Sequence, residues 1–370
     1  MTPKQLRQLM LVIIATLLGV GVIAVYSASA MMAEATYGNS ARFVLHHAIS
    51  ILCGGALGIA CLMVPYEALR RSARWLMLIS VVLLVLVDLF GQEIGGASRW
   101  FRIGGVSFQP SEVAKLSLIL YLADFLARKA DRIHEFWRGV APALAATGLM
   151  AGLVLIQPDF GTTIALGAVA LLLLVVAHAR WRHLLAVVIV AALALVVLIA
   201  GAEYRRRRIM TFLDPWADPQ GSGYQILQSY FSLASGGLLG TGLGGSLQKL
   251  FFLPSAHTDF IFAIIGEELG LVGTTAIIIL FSLFVTCGFR IALAAHDLFS
   301  KYLVCGLVGM MGLQAIVNVA VVTGLLPTKG LPLPLISFGG SSMVMNLVAC
   351  ALIFQASRQG ERGRESLVGG

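Results

Sequence analysis

Ten stretches of mainly apolar residues recur along this chain, and they constrain its fold more than any other feature of the sequence. A helix that crosses a lipid bilayer needs about 20 such residues. The bilayer core contains no water that could hydrogen-bond free backbone groups, so each stretch is expected to form a helix, in which these groups bond to one another. We therefore predict an all-α polytopic membrane protein with about ten transmembrane helices. Their expected positions are 8–30, 46–64, 74–90, 111–127, 141–157, 161–178, 183–203, 259–289, 301–323 and 342–357.

The composition excludes a soluble protein of this length. Apolar and aromatic residues make up 58% of the chain and charged residues 12%, about half of the roughly 25% found in soluble domains. The net charge is +8, but Lys and Arg lie between the apolar stretches, so membrane topology explains them better than nucleic-acid binding does. The five cysteines lie inside apolar stretches without CxxC or metal-ligand spacing. We therefore predict no metal site.

The basic residues predict the orientation of the chain. A cytoplasmic amino terminus places 16 of the 26 Lys and Arg on the inside, as the positive-inside rule requires, and ten spans then return the carboxyl terminus to the cytoplasm. Four of the outside residues are consecutive, Arg205, Arg206, Arg207 and Arg208. Guanidinium groups match phosphate oxygens, so this run would suit a lipid diphosphate headgroup. The alternative is that one span is miscounted and the run is cytoplasmic.

One long connection, residues 204–258, joins spans seven and eight on the outer side. Connections of this length in compact proteins are usually functional or disordered, and the apolar alternation around 224–239 predicts an ordered loop with a half-buried helix. The GLLGTGLGG segment lacks the preceding strand and following Lys of a nucleotide site. The loop ends in His257-Thr258-Asp259. There the Asp is expected to be a helix cap, and a capping role would not exclude a second role as a catalytic carboxylate that faces the Arg run.

A second polar cluster lies before and within the start of the fourth span. It contains Arg99, Trp100 and Arg102, followed by Glu112 and Lys115. Glu112 and Lys115 are three residues apart and share a helix face. They form either a mutual ion pair with Lys115 reaching outward or, together with the arginines, part of one cationic vestibule. Trp100 is either an interfacial anchor or a stacking surface for a sugar.

A third cluster, residues 326–342, contains three prolines within eight residues. Such a segment cannot be helical, and irregular backbone at membrane depth occurs only where it is buried in protein or lines a cavity. We therefore predict a re-entrant wall of the site, with Lys329 and Ser337 among the substrate-binding residues. Glu267 and Glu268, two turns beyond Asp259, are expected to be functional or paired because charge is costly inside an apolar span.

Six segments of the sequence carry a resemblance to a known family. They are YSAS at 26–29, GGASRWFRIGGVSFQPSEVAK, IQPDFGTT, RRRRIMTFLDPWADPQGSGYQ, AHTDFIFAIIGEELG and GLLPTKGLPLPLISFGGSS. Together and in this order they resemble the SEDS family (shape, elongation, division and sporulation) of bacterial cell-wall polymerases, and most closely its cell-division branch. The resemblance covers nearly the whole chain, with the same ten spans and the same long loop between spans seven and eight.

The resemblance implies a peptidoglycan glycosyltransferase that polymerises lipid II into glycan strands during septal cell-wall synthesis and releases undecaprenyl diphosphate. It implies one SEDS-type domain over 1–370, with part of the active site on loop 204–258. It assigns the catalytic carboxylate to Asp259, an important loop Trp to Trp100 and a substrate-linked Lys to Lys115. The expected location is the division septum of the bacterial cytoplasmic (inner) membrane. The expected partners are a class B penicillin-binding transpeptidase of the FtsI type and the divisome proteins FtsQ, FtsL and FtsB.

The chemistry of that reaction fits the residues. The attacking sugar 4-hydroxyl needs a general base, and Asp259 is the best-placed carboxylate. The lipid diphosphate leaves without a general acid if arginines, Lys115 or a divalent cation such as Mg²⁺ stabilise its charge, so no tightly bound cofactor is expected. A single displacement would invert the anomeric centre. The predicted substrate-binding residues are Arg99, Trp100, Glu112, Lys115, Arg205, Arg206, Arg207, Arg208, His257, Lys329 and Ser337.

The sequence alone leaves two other functions open. A lipid II flippase would explain charges within the spans, such as Glu112 and Lys115. However, we detect no inverted repeat and no matching pair of interrupted spans, the usual marks of a transporter. A scaffold that only recruits the septal transpeptidase is the third alternative.

Overall fold

The computed structural model of this protein describes residues 2–94, 97–103, 106–250, 252–328 and 330–368. Within these ranges most of the chain is helical. The helices are α1 (Pro3–Tyr37), α2 (Arg42–Met63), α3 (Tyr66–Phe90), α4 (Pro110–Arg128), α5 (Ala141–Ile156), α6 (Phe160–Val176), α7 (Trp181–Ala200), α8 (Glu203–Leu213), α9 (Tyr224–Gly236), α10 (Ile261–Leu293), α11 (Leu298–Val322) and α12 (Gly340–Val368). The strands are β1 (Gln92–Ile94), β2 (Ala97–Ile103) and β3 (Val106–Phe108).

Eight helices in the described part of the chain are long and apolar enough to cross a membrane. Two further helices lie at predicted span positions. One is α6, which is apolar but has only 17 residues, and the other is α4, which carries four charged side chains among its 19 residues. The all-α polytopic fold is confirmed, and the number of ten spans stays a prediction.

Several helices extend beyond the apolar stretches that predict them. The third span is expected from residue 74, but α3 begins at Tyr66 and includes Glu67 and Arg70. Arg and Glu are good helix formers, so the helix continues beyond the membrane-embedded part. For the same reason the Arg run expected in a loop forms the middle of α8, which has Glu203 in its first turn.

A small antiparallel sheet between α3 and α4 is absent from the sequence-based prediction. Its strand order is β1-β2-β3, with Gln92 opposite Trp100 and Phe101 opposite Phe108. The seven residues of β2, ASRWFRI, do not alternate strictly between apolar and polar, so they are a weak strand signal. The sheet lies at the amino-terminal end of α4, where Gln109 N donates a hydrogen bond to Ser341 Oγ (3.0 Å) near the start of α12.

The core lies among α4, α10, α11 and α12, while α7 lies at the margin. In the most apolar part of α11 and α12, 67% and 72% of the residues are buried, whereas α7 buries none. The predicted helix around 224–239 is confirmed as α9, whose Ile226, Leu227 and Ser229 are buried. Because α9 packs on α10 and α11, this part of the long loop is ordered on the bundle.

Two adjacent carboxylates of α10 fasten the loop that follows α9. Glu267 accepts hydrogen bonds from Ser246 Oγ (2.5 Å) and Leu247 N (2.8 Å). Glu268 pairs with Lys249 Nζ (2.9 Å) and also accepts from Ser27 Oγ (2.6 Å). Both carboxylates are buried. Of the two expected roles, functional or paired, the structure shows the second. Both carboxylates hold the loop against the bundle.

Candidate active site

Asp259 lies two residues before α10 and is half-buried. Its backbone is held by Asn318 of α11, a buried side chain whose Nδ2 donates to Asp259 O and to Leu331 O, both at 2.8 Å. One amide thus joins the start of α10 to the irregular segment before α12. Because these groups are removed from water, their hydrogen bonds hold the two pieces of backbone in one arrangement.

The segment between α11 and α12 contains no regular helix or strand among its described residues and packs over the start of α10. Ser337 Oγ accepts from Leu333 N (2.8 Å) and donates to Thr258 O (2.7 Å). Phe338 N donates to His257 O (3.0 Å). Ser337 therefore braces the backbone beside Asp259. Lys329, the other predicted substrate-binding residue of this segment, lies outside the described residues.

The carboxylate of Asp259 has an unusual electrostatic environment. Burial and, to a smaller extent, the nearby Asp159 carboxylate raise the pKa of Asp259, the Arg208 guanidinium lowers it, and the resulting pKa is about 6. No described residue donates a hydrogen bond to either carboxylate oxygen, although the backbone around it is well bonded. A carboxylate with this pKa is mostly ionised at neutral pH and remains a stronger base than an ordinary Asp.

Asp159 is the main site residue that the sequence analysis missed. It caps α6, where Oδ1 accepts from Thr162 N (3.1 Å), and it is buried. Arg99 binds the two carbonyls before it, with Nε 2.7 Å from Gln157 O and Nη2 2.5 Å from Pro158 O. The available signal was the lone acidic residue between two apolar stretches in IQPDFGTT. Arg99 therefore positions the Asp159 loop.

The four arginines of α8 do not form one surface. Arg205 Nη1 donates to Leu198 O (2.8 Å), with its guanidinium 4.4 Å from the Phe160 ring centroid. Arg207 pairs with Asp218 (3.1 Å). Consecutive helical residues point in different directions, which separates Arg206 and Arg207 from the other two. Arg205 and Arg208 are three residues apart and share a helix face, but they contact different partners, so the run does not form a single pocket.

Arg208 is the member of the run that reaches the wall of the site. Its Nη1 donates to Thr328 O (3.2 Å), and its charge lowers the pKa of Asp259. The guanidinium also lies 4.5 Å from the Tyr204 ring centroid. Arg206 is exposed, and its guanidinium group has no hydrogen bond or ion pair with any described residue. Of these two, Arg208 supplies positive charge near the Asp259 carboxylate.

Glu112 and Lys115 form a buried ion pair inside α4, with Glu112 Oε1 2.8 Å from Lys115 Nζ. Lys115 therefore points inward to Glu112 and does not reach outward. The pair borders a cavity of about 20 Å³ with Gln314 and Asn346, and Gln314 Nε2 lacks a hydrogen-bond partner. A polar cavity of this size can hold one water molecule. The structure does not bring these residues into contact with Asp259.

His257 packs among aromatic rings. Its ring centroid is 4.8 Å from that of Phe43 and 5.6 Å from that of Phe338. Burial lowers the pKa of His257 to about 4, so the side chain is neutral at pH 7. The neutral His257 therefore acts as part of the apolar wall next to Asp259 and does not add a charge for a phosphate.

Trp100, another predicted substrate-binding residue, is half-buried on β2.

Together, the fold and this site define a polytopic membrane protein with a carboxylate at one end of its helix bundle, beneath an irregular proline-rich wall. A family model described as the cell cycle protein family of FtsW, RodA and SpoVE matches residues 7–362. The chain therefore belongs to the FtsW/RodA/SpoVE family, and the resemblance to SEDS proteins is confirmed.

Relatives with assigned names extend over almost the whole chain. A probable peptidoglycan glycosyltransferase FtsW of Geobacter metallireducens is 42% identical over 339 residues, covering 91% of this chain and 90% of the relative. The stage V sporulation protein E of Bacillus subtilis is 40% identical over 360 residues, covering 96% and 98%. The resemblance to the division branch is thus supported alongside a similar resemblance to a sporulation protein.

Solved structures share the fold. One chain of a peptidoglycan synthase complex, described as coordinating polymerization and crosslinking, matches with a TM-score of 0.80 and 32% identity, covering 95% of this chain and 97% of that one. The rod shape determining protein RodA of Thermus thermophilus matches with a TM-score of 0.71 and 28% identity, covering 95% and 96%.

Proposed function

We propose that this chain is a peptidoglycan glycosyltransferase that polymerises lipid II into glycan strands during septal wall synthesis and releases undecaprenyl diphosphate. The names of the relatives support the glycosyltransferase activity. The observation that carries the mechanism is Asp259, a half-buried carboxylate at one end of the bundle with its pKa raised to about 6.

Asp259 acts as the general base. The attacking group is a sugar 4-hydroxyl, which becomes a useful nucleophile when its proton is removed as the new bond forms. A base is most effective when its pKa lies near the working pH while the group is still ionised. The raised pKa of Asp259 meets both conditions, and its backbone is held by Asn318 and Ser337 through their contacts with Asp259 and Thr258.

The departing diphosphate requires positive charge and no proton donor. Arg208, next to the Asp259 carboxylate, supplies this charge and can form paired hydrogen bonds to phosphate oxygens. We infer no tightly bound cofactor. A divalent cation such as Mg²⁺ is the alternative source of charge, since it binds through one or two carboxylates and substrate phosphates, and Asp159 could provide one carboxylate while Asp259 remains the base. Attack from the side opposite the diphosphate inverts the anomeric centre.

The proposed setting is the division septum of the bacterial inner membrane. The match to a chain of a complex that coordinates polymerization and crosslinking supports a class B penicillin-binding transpeptidase of the FtsI type as partner. FtsQ, FtsL and FtsB are proposed as further partners from the family resemblance.

The test uses the chain purified in detergent and supplied with lipid II, with and without an inactive transpeptidase. Wild type should form glycan polymer, and Asp259→Asn should reduce the rate at least about 100-fold. Asp131→Asn is the matched control, because Asp131 is an exposed carboxylate in a turn after α4. Chelation with EDTA tests the divalent cation in the same assay.

Each outcome separates the proposed activity from its alternatives. Flipping has no meaning without a bilayer, so polymer made in detergent excludes both a flippase and a scaffold as the whole function. No polymer from the wild type, even with the inactive transpeptidase present, would support the flippase or the scaffold. Equal activity of wild type and Asp259→Asn would return Asp259 to the role of a structural residue.

A further inference from the structure

A cavity of about 510 Å³ opens between α3 and α4, at the end of the bundle away from Asp259. The course of α4 defines the two ends: Gln109 at its start is bonded to Ser341 near the start of α12, while Arg128 is its last residue and lines the cavity. The polymerisation proposed above makes no use of this cavity, and its size is that of a small-molecule site.

The walls of the cavity carry a net positive charge. Four arginines and two acidic residues line it, which gives a net charge of +2. Asp124 is buried and binds both Arg70 Nε (3.0 Å) and Arg128 Nη2 (2.9 Å). The second acidic residue is Glu67, which is exposed. Asp124 thus fixes the direction of two guanidinium groups in the wall.

The other two arginines of the cavity are available to a ligand. Arg71 and Arg74 are exposed on α3, and neither guanidinium group has a hydrogen bond or ion pair with any described residue. They lie on the same helical turn, so both can reach one anion. Guanidinium groups in such a cluster match phosphate oxygens with two parallel hydrogen bonds each.

An exposed apolar strip extends from these arginines along α3. Trp75 and Leu78 line the cavity and are 68% and 53% exposed. The strip continues through Val82, Val85 and Leu89, spaced alternately three and four residues apart and also exposed. This spacing places the strip on one face of the helix, and α3 is long and apolar enough to span a membrane. A Trp at the boundary between charged and apolar surface is typical of headgroup depth.

We propose that this cavity binds the headgroup of an anionic phospholipid, with the phosphate against Arg71 and Arg74 and an acyl chain along the apolar strip. Arginines lie on one side of Trp75 and the apolar strip lies on the other. This arrangement supports a lipid over a free anion, because a soluble phosphate would contact only the arginines. Basic pockets between transmembrane helices on the cytoplasmic side are suited to such headgroups, and the predicted orientation places this end of the bundle in the cytoplasm.

The test measures lipid binding by the full chain. The chain is stripped of lipid in detergent, titrated with phosphatidylglycerol or phosphatidylcholine, and examined by native mass spectrometry. The variant Arg71→Gln/Arg74→Gln is compared with Arg132→Gln/Arg182→Gln, which removes the same charge from exposed positions outside the cavity. Arg70 is left intact because its loss would partly unpair the buried Asp124.

The proposal predicts that wild type and the control variant retain phosphatidylglycerol in preference to phosphatidylcholine. The cavity variant should bind phosphatidylglycerol about 30-fold more weakly than the control, from about 1 kcal/mol for each arginine. Size-exclusion profiles and melting temperatures establish that all variants are folded.

Three results would overturn the proposal. The first is equal retention of phosphatidylglycerol by the cavity variant and the control. The second is displacement of the lipid by millimolar inorganic phosphate, which would identify a site for a free anion. The third is saturable binding of an acidic peptide that depends on Arg71 and Arg74, without a preference for phosphatidylglycerol, which would assign the cavity to a protein partner.

Discussion

Gly330 lies against the carboxylate of Asp259, so close that a Cβ atom added to the glycine would be 3.1 Å from Asp259 Oδ2. The φ angle of Gly330 is not in the left-handed region, so backbone strain does not explain a glycine here. The absence of a side chain instead leaves one face of the carboxylate open to water or substrate.

The Gly330→Ala substitution should therefore impair catalysis and leave the fold intact. The added methyl group covers Oδ2, raises the pKa of Asp259 further and restricts the approach of a hydroxyl group. We expect a roughly tenfold lower polymerisation rate at pH 7 and a rate profile shifted to higher pH. Gly339→Ala is the matched control, because its nearest contact would be Ser342 Cβ at 3.5 Å. Equal rates for the two variants would contradict this role of Gly330.

The pH dependence of polymerisation should follow the ionisation of Asp259. Its pKa of about 6 means that the base is mostly protonated at pH 5 and mostly ionised at pH 7. The rate should therefore rise about tenfold between these values, provided that lipid II binding is measured separately and remains constant. A rate that stays level or falls over this interval would exclude Asp259 as the base.

The same ionisation should affect stability in the opposite direction. A carboxyl whose pKa is raised in the folded state binds more protons there than in the unfolded chain between about pH 4 and pH 6, so stability falls as pH rises through this window. Asp259→Asn removes the penalty of the buried charge. We expect its melting temperature to exceed that of the wild type at pH 8, with the difference much smaller at pH 4. A lower melting temperature at pH 8 would show that the ionised carboxylate stabilises the fold.

Asn318→Ala should make the backbone at Asp259 less rigid. The substitution leaves the carbonyls of Asp259 and Leu331 without their shared donor, a loss of about 1–3 kcal/mol for buried acceptors. We expect a lower kcat with lipid II binding less affected, because the base is displaced. Asn346→Ala is the control, since its side chain makes one long contact of 3.4 Å with Ser342. The idea fails if both variants lose activity to the same extent.

Lys249→Met should destabilise the chain by leaving the buried Glu268 carboxylate without its positive partner. Loss of one member of a buried ion pair costs about 3–5 kcal/mol. The double variant Lys249→Met/Glu268→Met removes both charges and should recover most of the lost melting temperature. If the double variant is no more stable than Lys249→Met, the ion pair is not the cause of the loss.

The sequence was informative wherever function depends on residue type against an apolar background. Asp259 stands out as an acidic residue at the start of a span, and the prolines of 326–342 exclude a helix there. Both features follow from the high cost of polar groups and free backbone inside a membrane. The positions of the helices could be predicted for the same reason.

Contacts between distant segments could not be predicted in this way. The proximity of Asp159 to Asp259 depends on how α6 and α10 pack, and a loop Asp before a helix reads equally well as a cap. The separation of Arg207 from Arg205 and Arg208 follows from the helical conformation of α8, whereas the sequence favoured a loop. The ion pair of Lys115 with Glu112 was one of two alternatives, but its burial inside the bundle, with Lys115 not reaching outward, depends on packing.

The position of α7 at the margin of the bundle exposes this helix to the surrounding lipid. Because α7 buries no residue, its depth and tilt are governed mainly by the surrounding lipid, and a change in hydrocarbon thickness is accommodated by tilting. The next helix in the chain is α8, which carries Arg208 to the wall beside Asp259. We therefore expect a tilt of α7 to move the start of α8 and, with it, Arg208 relative to Asp259, so the turnover of the unaltered polypeptide should depend on the acyl-chain length of the surrounding lipid.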